Sequence, residues 1–219
     1  MSSTNRGGQR SEADYYPTPA WCVHRLLEEV DLPGGQWLEP AAGTGMLIEA
    51  VNAIRRDIQW KAIELRDTCE SALSGAVGPL GEVSITDFLQ VAPQDSGQEF
   101  TVIITNPPYS MAMPMIEHSL AFQSRFVVML LRLNFLASES RAKFMRQYSP
   151  DVYVLPNRPS FSGRGTDSID YAWFVWHGRQ QRQQGKLVVL PTTSAADRRP
   201  QRDESMASAV QGEADALRT

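Results

Sequence analysis

Two cysteines and three histidines are all that the 219 residues contain. Cys22 and Cys69 stand far apart with no Cys-x-x-Cys pair, so neither a disulfide framework nor a metal site is expected. Each thiol reads as a small buried hydrophobe. No apolar run approaches the length of a membrane span, and the Ser/Asn/Gly/Gln-rich start has no apolar leader segment. A cytoplasmic protein that stays out of membranes is the expectation. The turn Gly43-Thr44-Gly45 lacks a third glycine for a dinucleotide fingerprint, and no Lys-Ser/Thr follows it for a phosphate loop. Net positive charge is missing too. A formal charge of -4 argues against a protein that coats nucleic acid.

What is present is ordinary for a globular chain: 42% hydrophobic and 21% charged residues, enough for one full core. The charges are unevenly spread. Leu26 to Glu99 holds 13 acidic residues against 4 basic, a net of -9. Arg125 to Arg164 holds 7 basic against 2 acidic, a net of +5. A local basic face can attract phosphates while the molecule stays acidic. Residues 1–13 are polar and read as disordered, 14–191 as one domain, and 192–219 as a disordered tail.

Apolar periodicity orders the domain. Thr18 can cap a helix with Pro19 at its first position, and Trp21, Val23, Leu26, Leu27 and Val30 give that helix one apolar stripe. Gln36 to Glu39 reads as a strand, then the glycine turn, then a helix from Met46. Strand, glycine turn and helix open a Rossmann-like sheet. Ile58 to Glu64 and Val83 to Ile85 read as the next strands, with a short helix from Thr68 that Gly75 ends. Phe100 to Ile104, Arg125 to Leu131, Val152 to Leu155 and Tyr171 to Trp176 follow, rich in β-branched and aromatic residues. Only a loop joins the last two, which predicts an antiparallel hairpin. Lys186 to Leu190 could add an edge strand. The predicted fold is an α/β, seven-stranded mixed sheet with helices on both faces.

The chemistry collects at the predicted strand ends. Thr105-Asn106-Pro107-Pro108-Tyr109 follows a buried strand, and its two prolines forbid both helix and further pairing. The stiff turn presents a side-chain amide, the Pro107 carbonyl and an aromatic ring. These suit a planar amine: two acceptors for its hydrogens and a ring to stack on. In isolation the stretch is also an ordinary proline-rich β-to-α turn. Glu39 ahead of the glycines suits a cationic ligand better than a pyrophosphate. Glu64 is placed to accept two ribose hydroxyls, and Asp87 stands just past the third strand.

Together these pieces resemble the class I S-adenosylmethionine (SAM)-dependent methyltransferases. Within them the chain looks most like the compact adenine-N6 DNA methyltransferases of phages and prophages. Asn106-Pro107-Pro108-Tyr109 fits the family's (Asp/Asn/Ser)-Pro-Pro-(Tyr/Phe/Trp) signature, and Glu39-Pro40-Ala41-Ala42-Gly43-Thr44-Gly45 its SAM loop. Tyr16-Pro17-Thr18-Pro19 fits the segment over the methionine end, and Arg158-Pro159-Ser160-Phe161 a late motif near the target base. The resemblance implies that SAM lies near Tyr16, Thr18, Glu39, Ala41, Gly43, Gly45 and Asn106, its ribose on Glu64 and its adenine near Asp87. It implies that Asn106 and the Pro107 carbonyl hold the amine, that Pro108 stiffens the turn, that Tyr109 stacks on a flipped adenine and that Phe161 covers the base's other side. From the topology, Arg132, Asn134, Arg158 and Arg164 reach the same sheet edge, where contacts to the DNA backbone are expected. No sizeable recognition domain follows Phe161, so the expectation is that sequence specificity is low, or comes from short loops, a second subunit or a homodimer.

Three alternatives share the motifs. RNA adenine methyltransferases differ only in a substrate with 2′-hydroxyls. Protein-glutamine N5-methyltransferases also use Asn-Pro-Pro-Tyr, without the Tyr-Pro-Thr-Pro segment. A catalytically silent SAM- or partner-binding module could keep the fold alone.

Overall fold

The computed structural model describes residues 17–93, 99–161, 168–178 and 184–198. Tyr16, Arg164 and the segment 1–13 lie outside those residues, as does most of the expected tail.

Among the described residues, eight strands form one sheet in the order β3-β2-β1-β4-β5-β7-β6-β8. They are β1 (Gly35–Glu39), β2 (Ile58–Glu64), β3 (Glu82–Ile85), β4 (Val102–Thr105), β5 (Phe126–Arg132), β6 (Asp151–Val154), β7 (Tyr171–Trp176) and β8 (Leu187–Val189). β7 runs antiparallel to both β5 and β6; every other pairing is parallel. The expected hairpin therefore forms, with its second strand inserted between β5 and β6. The edge strand also forms, so the sheet has eight strands rather than seven.

Alternation along the strands sends side chains to two separate cores. On β5, Val128 and Leu130 join one layer while Val127, Met129 and Leu131 join the other. On β7, Tyr171, Trp173 and Val175 face the first layer, and Ala172, Phe174 and Trp176 the second. Helices α1 (Ala20–Glu29), α2 (Met46–Asn52) and α3 (Glu70–Val77) cover the first face. Helix α4 (Ala112–Ala121) covers the second, and Phe144 and Met145 of α5 (Glu139–Gln147) pack against that core. A strand buried on both sides must be apolar throughout, which is why β4 and β5 read as unbroken hydrophobic runs. Trp173 is fully buried and donates its indole N–H to the Cys22 carbonyl at 2.8 Å, tying α1 to the sheet. Burying an indole of that size stabilises by roughly 4 kcal/mol. Cys22 and Cys69 are both buried, and burial pushes the Cys22 thiol up, away from its reactive form.

Three local expectations are corrected. Thr18 does not cap α1: Pro19 is the cap residue, with extended backbone and no side-chain cap, and Thr18 is buried. Gly75 lies inside α3, which ends at Gly78 where φ is +73°. Gly75 keeps helical geometry, whereas the left-handed φ at Gly78 ends the turn ladder. The chain from Thr192 to Arg198 is also structured rather than tail. Thr193 is buried, its N–H donates to Asn157 Oδ1, and its hydroxyl accepts from Arg25 Nε at 3.0 Å.

Candidate active site

Sheet order reverses between β1 and β4, and the C-terminal ends of the parallel strands at such a switch point form a crevice. β1 ends on Glu39, β2 on Glu64 and β5 on Arg132, while β4 leads directly into Asn106. β7 runs the other way, so its first residue, Tyr171, starts at this edge, paired with Arg132.

The glycine turn is shaped by helix packing as much as by any ligand. Gly43 and Gly45 have φ of +57° and +90°. A Cβ on Gly45 would lie 2.4 Å from the Ala76 Cβ on α3, so no side chain fits. The turn leaves Gly43 N–H pointing at Glu64 Oε2, at 2.7 Å. The other Glu64 oxygen accepts from the Arg66 backbone at 3.0 Å and the Arg66 Nε at 2.8 Å. Burial pushes the Glu64 carboxyl up, but the hydrogen bonds from Arg66 and Gly43 outweigh it and hold the group below the usual carboxylate range. Glu39 is the opposite case. It is 2% exposed, its Oε2 has no hydrogen-bond partner, and burial followed by the nearby Glu64 charge raises its carboxyl well above that range. A dry, orphaned carboxylate beside a second one is a place for a cation.

Past β4, Asn106 is half-buried, Pro107 is buried, and Pro108 is extended with its carbonyl accepting from Met111 N–H at 2.9 Å. Tyr109 is half-buried, and its hydroxyl lies 2.7 Å from that of Tyr171, which is fully buried. The Arg132 guanidinium carbon lies 3.8 Å from the centre of the Tyr109 ring. Burial alone would lower the Arg132 pKa, but the hydroxyls of Tyr171 and Tyr109 raise it on balance.

The remaining expected site residues are spread along the same edge. Ala41 is half-buried in the glycine loop, and Asp87 is exposed, its Oδ1 accepting from Leu89 N–H at 2.9 Å. Asn134 is exposed in the turn after β5. Arg158 pairs with Asp170 at 2.8 Å, so it does not stand alone on the surface. Phe161 is buried, edge-on to Tyr171 at 5.0 Å, and belongs to the first core layer.

Sequence reasoning missed Tyr171, Arg66 and Leu65. Tyr171 carried no signal beyond a strand pattern, because its role depends on facing Tyr109, 62 positions away. Leu65 did carry one: a large apolar residue directly after the acid that ends β2 is 70% exposed, beside the crevice.

No protein-family profile matches the sequence, and no curated protein is similar to it at the sequence level. Solved structures are similar in fold. A Listeria monocytogenes protein assigned to the class I SAM-dependent methyltransferases matches at a TM-score of 0.54 with 12% identity, over 89% of this chain and 67% of that one. The 23S rRNA methyltransferase ErmE matches at 0.54 with 18% identity, over 78% and 72%. A dimethyladenosine transferase from Plasmodium falciparum matches at 0.54 with 14% identity, over 74% and 63%. The chain has the class I methyltransferase fold. Identities this low carry the fold and nothing finer.

SAM is the cofactor that the class I methyltransferase fold implies, and the polar groups at this edge fit its ammonium and ribose. The groups that would hold it are the Glu39 carboxylate, whose Oε2 is unpartnered, for an ammonium group, the left-handed glycine turn for close approach and Glu64 for ribose hydroxyls. Glu64 already accepts three hydrogen bonds, so a ribose there would take its remaining lone pair or displace the Arg66 side chain. Among the described residues, no group of three or more His, Cys, Asp or Glu could hold a metal, and no helix is long and apolar enough to cross a membrane.

Proposed function

We propose that this protein methylates the exocyclic amine of adenine in a nucleic acid, using SAM. The observation that carries this reading is the Asn106 to Tyr109 turn at the end of β4, beside the switch point and one strand from the orphaned Glu39. Among the described residues, no backbone hydrogen bond occupies the Pro107 carbonyl. It and the Asn106 side-chain oxygen would accept the two amine hydrogens. That favours tetrahedral character at nitrogen and frees its conjugated lone pair for attack.

When bound, SAM supplies an electrophilic methyl on a sulfonium. The protein's part is to hold the amine in line with it, and such positioning accounts for most of the rate gain in two-substrate transfers. A neutral amide and a carbonyl bind a developing cation without competing for its proton. The methylated amine then loses that proton to water. A base inside a duplex cannot reach the site, so a paired adenine has to be flipped out.

RNA is the substrate to test first, because two of the similar structures are a 23S rRNA methyltransferase and a dimethyladenosine transferase. The DNA reading keeps its own support in the Tyr16-Pro17-Thr18-Pro19 and Arg158-Pro159-Ser160-Phe161 segments, which resemble DNA enzymes. Incubation with labelled SAM and either RNA or DNA, single- and double-stranded, followed by nucleoside digestion, separates the two. N6-methyladenosine from RNA or N6-methyldeoxyadenosine from DNA is the expected product. Neither product from any substrate would sink the reading. Asn106→Ala should lose at least about a hundredfold in rate, since it removes one of the two acceptors that orient the amine and stabilise its developing charge, while still binding SAM.

A further inference from the structure

Arg132 sits where a flipped base would be expected. Its guanidinium carbon is 3.8 Å from the Tyr109 ring centre, which is stacking distance for two planar groups. The ring itself is held: it packs against the first core layer, and its hydroxyl is tied to the fully buried Tyr171. With that side taken by the core, the face under Arg132 is the one a planar ligand can reach. Arg132 is half-buried, and its Nε is buried without a hydrogen-bond partner. The rest of the guanidinium is held by the hydroxyls of Tyr171 and Tyr109, so leaving the ring gives up those contacts while Nε loses none.

We propose that Arg132 is a two-position residue of the target site, resting on Tyr109 in the free protein and moving to the phosphate of the target nucleotide when the base takes its place. This rests on the nucleic-acid reading above. Cation–π contact and base stacking are of comparable strength, so the phosphate has to replace the arginine's contacts to the Tyr171 and Tyr109 hydroxyls for the exchange to proceed. Charge gives a second reason for the move. The amine held by Asn106 becomes positive as it is methylated, and a cation left on the neighbouring ring would oppose that change. On a phosphate the same cation is neutralised and forms charge-assisted hydrogen bonds. A base without its phosphate must displace the arginine with nothing in return.

The test compares adenosine with adenosine 5′-monophosphate, with S-adenosylhomocysteine saturating the cofactor site. Calorimetry would measure both ligands on wild type, Arg132→Ala and Arg132→Lys, each first shown to melt cooperatively. Wild type should prefer the monophosphate. Arg132→Ala should bind adenosine about two- to fivefold more tightly, because the stacking competitor is gone. It should bind the monophosphate about tenfold more weakly than wild type does. Arg132→Lys, a point charge that stacks poorly, should gain on adenosine and keep the phosphate preference. Opposite signs for the two ligands in the alanine variant are the signature; a merely structural role weakens both. Equal losses, unchanged affinities, or no binding of either ligand to any of the proteins would overturn the proposal. Methyl transfer by wild type to RNA or DNA is scored separately. If transfer occurs without the opposed signs, the arginine's role alone fails; if it does not occur, the reading beneath it fails.

Discussion

Replacing Glu39 by Gln takes one titratable carboxyl out of a dry site that also holds Glu64. Glu39 is 2% exposed, its Oε2 has no partner, and burial first and Glu64 second push its carboxyl upward. The sign follows from proton binding. An unfolded Glu releases its proton near pH 4.3, about as in model peptides. Between that pH and the raised folded value, the folded protein holds one proton that the unfolded chain lacks. Stability from this group is therefore full below the unfolded value and is lost as pH rises, by about 1.4 kcal/mol per pH unit. Gln does not titrate. The stability gap between Glu39→Gln and wild type should then move in the variant's favour by that amount across the window. For a chain of this size about 1 kcal/mol shifts Tm by roughly 2–4 °C, so the gap should change by roughly 3–6 °C per pH unit. Thermal unfolding of both proteins by circular dichroism, in half-unit steps from pH 4 to 8, reads it directly. The offset at pH 4 reports how well the amide fits; the slope reports the charge. SAM adds a second arm, because its ammonium group would repay the buried charge. The stabilisation by SAM should be larger for wild type than for the variant, and should grow with pH only in wild type. A gap that stays constant with pH would refute the assignment of a buried, unpaired carboxyl, and equal stabilisation of the two proteins by SAM would refute its pairing with the ligand's ammonium.

Two further outcomes are expected from the same coordinates. Gly45→Ala combines a φ of +90° with a Cβ 2.4 Å from Ala76, so it should destabilise by at least about 1–2 kcal/mol in urea unfolding and weaken SAM binding together. Unchanged stability would mean that the turn and α3 relax freely. Asp151 is buried and accepts from the Lys186 backbone N–H at 2.9 Å, with His177 Nε2 at 2.8 Å from its other oxygen. Asp151→Ala should cost about 1–3 kcal/mol and speed amide exchange at Leu187 to Leu190 ahead of the central strands. Uniform protection across the sheet would show that β8 does not depend on this carboxylate.

How much could be read without coordinates depends on the range over which each feature is determined. The two-faced burial of β4 and β5 was legible as unbroken apolar runs, because parallel strands covered on both sides have no polar face. The Asn106 to Tyr109 turn was legible because proline restricts its own residue and the one before it, whatever the surroundings. Glu39 and Glu64 were placed correctly at strand ends, since periodicity located the ends. The boundary of α3 was not. Gly75 and Gly78 are equally permissive, and only the packing of Leu73, Ala76 and Val77 on the sheet selects the second as the stop.

Local rules by themselves determined the strands, the glycine turn and the proline turn with its amide, carbonyl and ring. Tertiary structure alone decided what those groups meet. The insertion of β7 between β5 and β6 sets Tyr171 opposite Arg132 and within a hydrogen bond of Tyr109. The same packing lays the Arg132 guanidinium on the Tyr109 ring and leaves Glu39 Oε2 without a hydrogen-bond partner. These contacts join residues tens of positions apart through sheet register. Alternating burial fixes which face each strand presents, but which strands pair, and so which side chains end up opposite one another, is settled only when the sheet assembles.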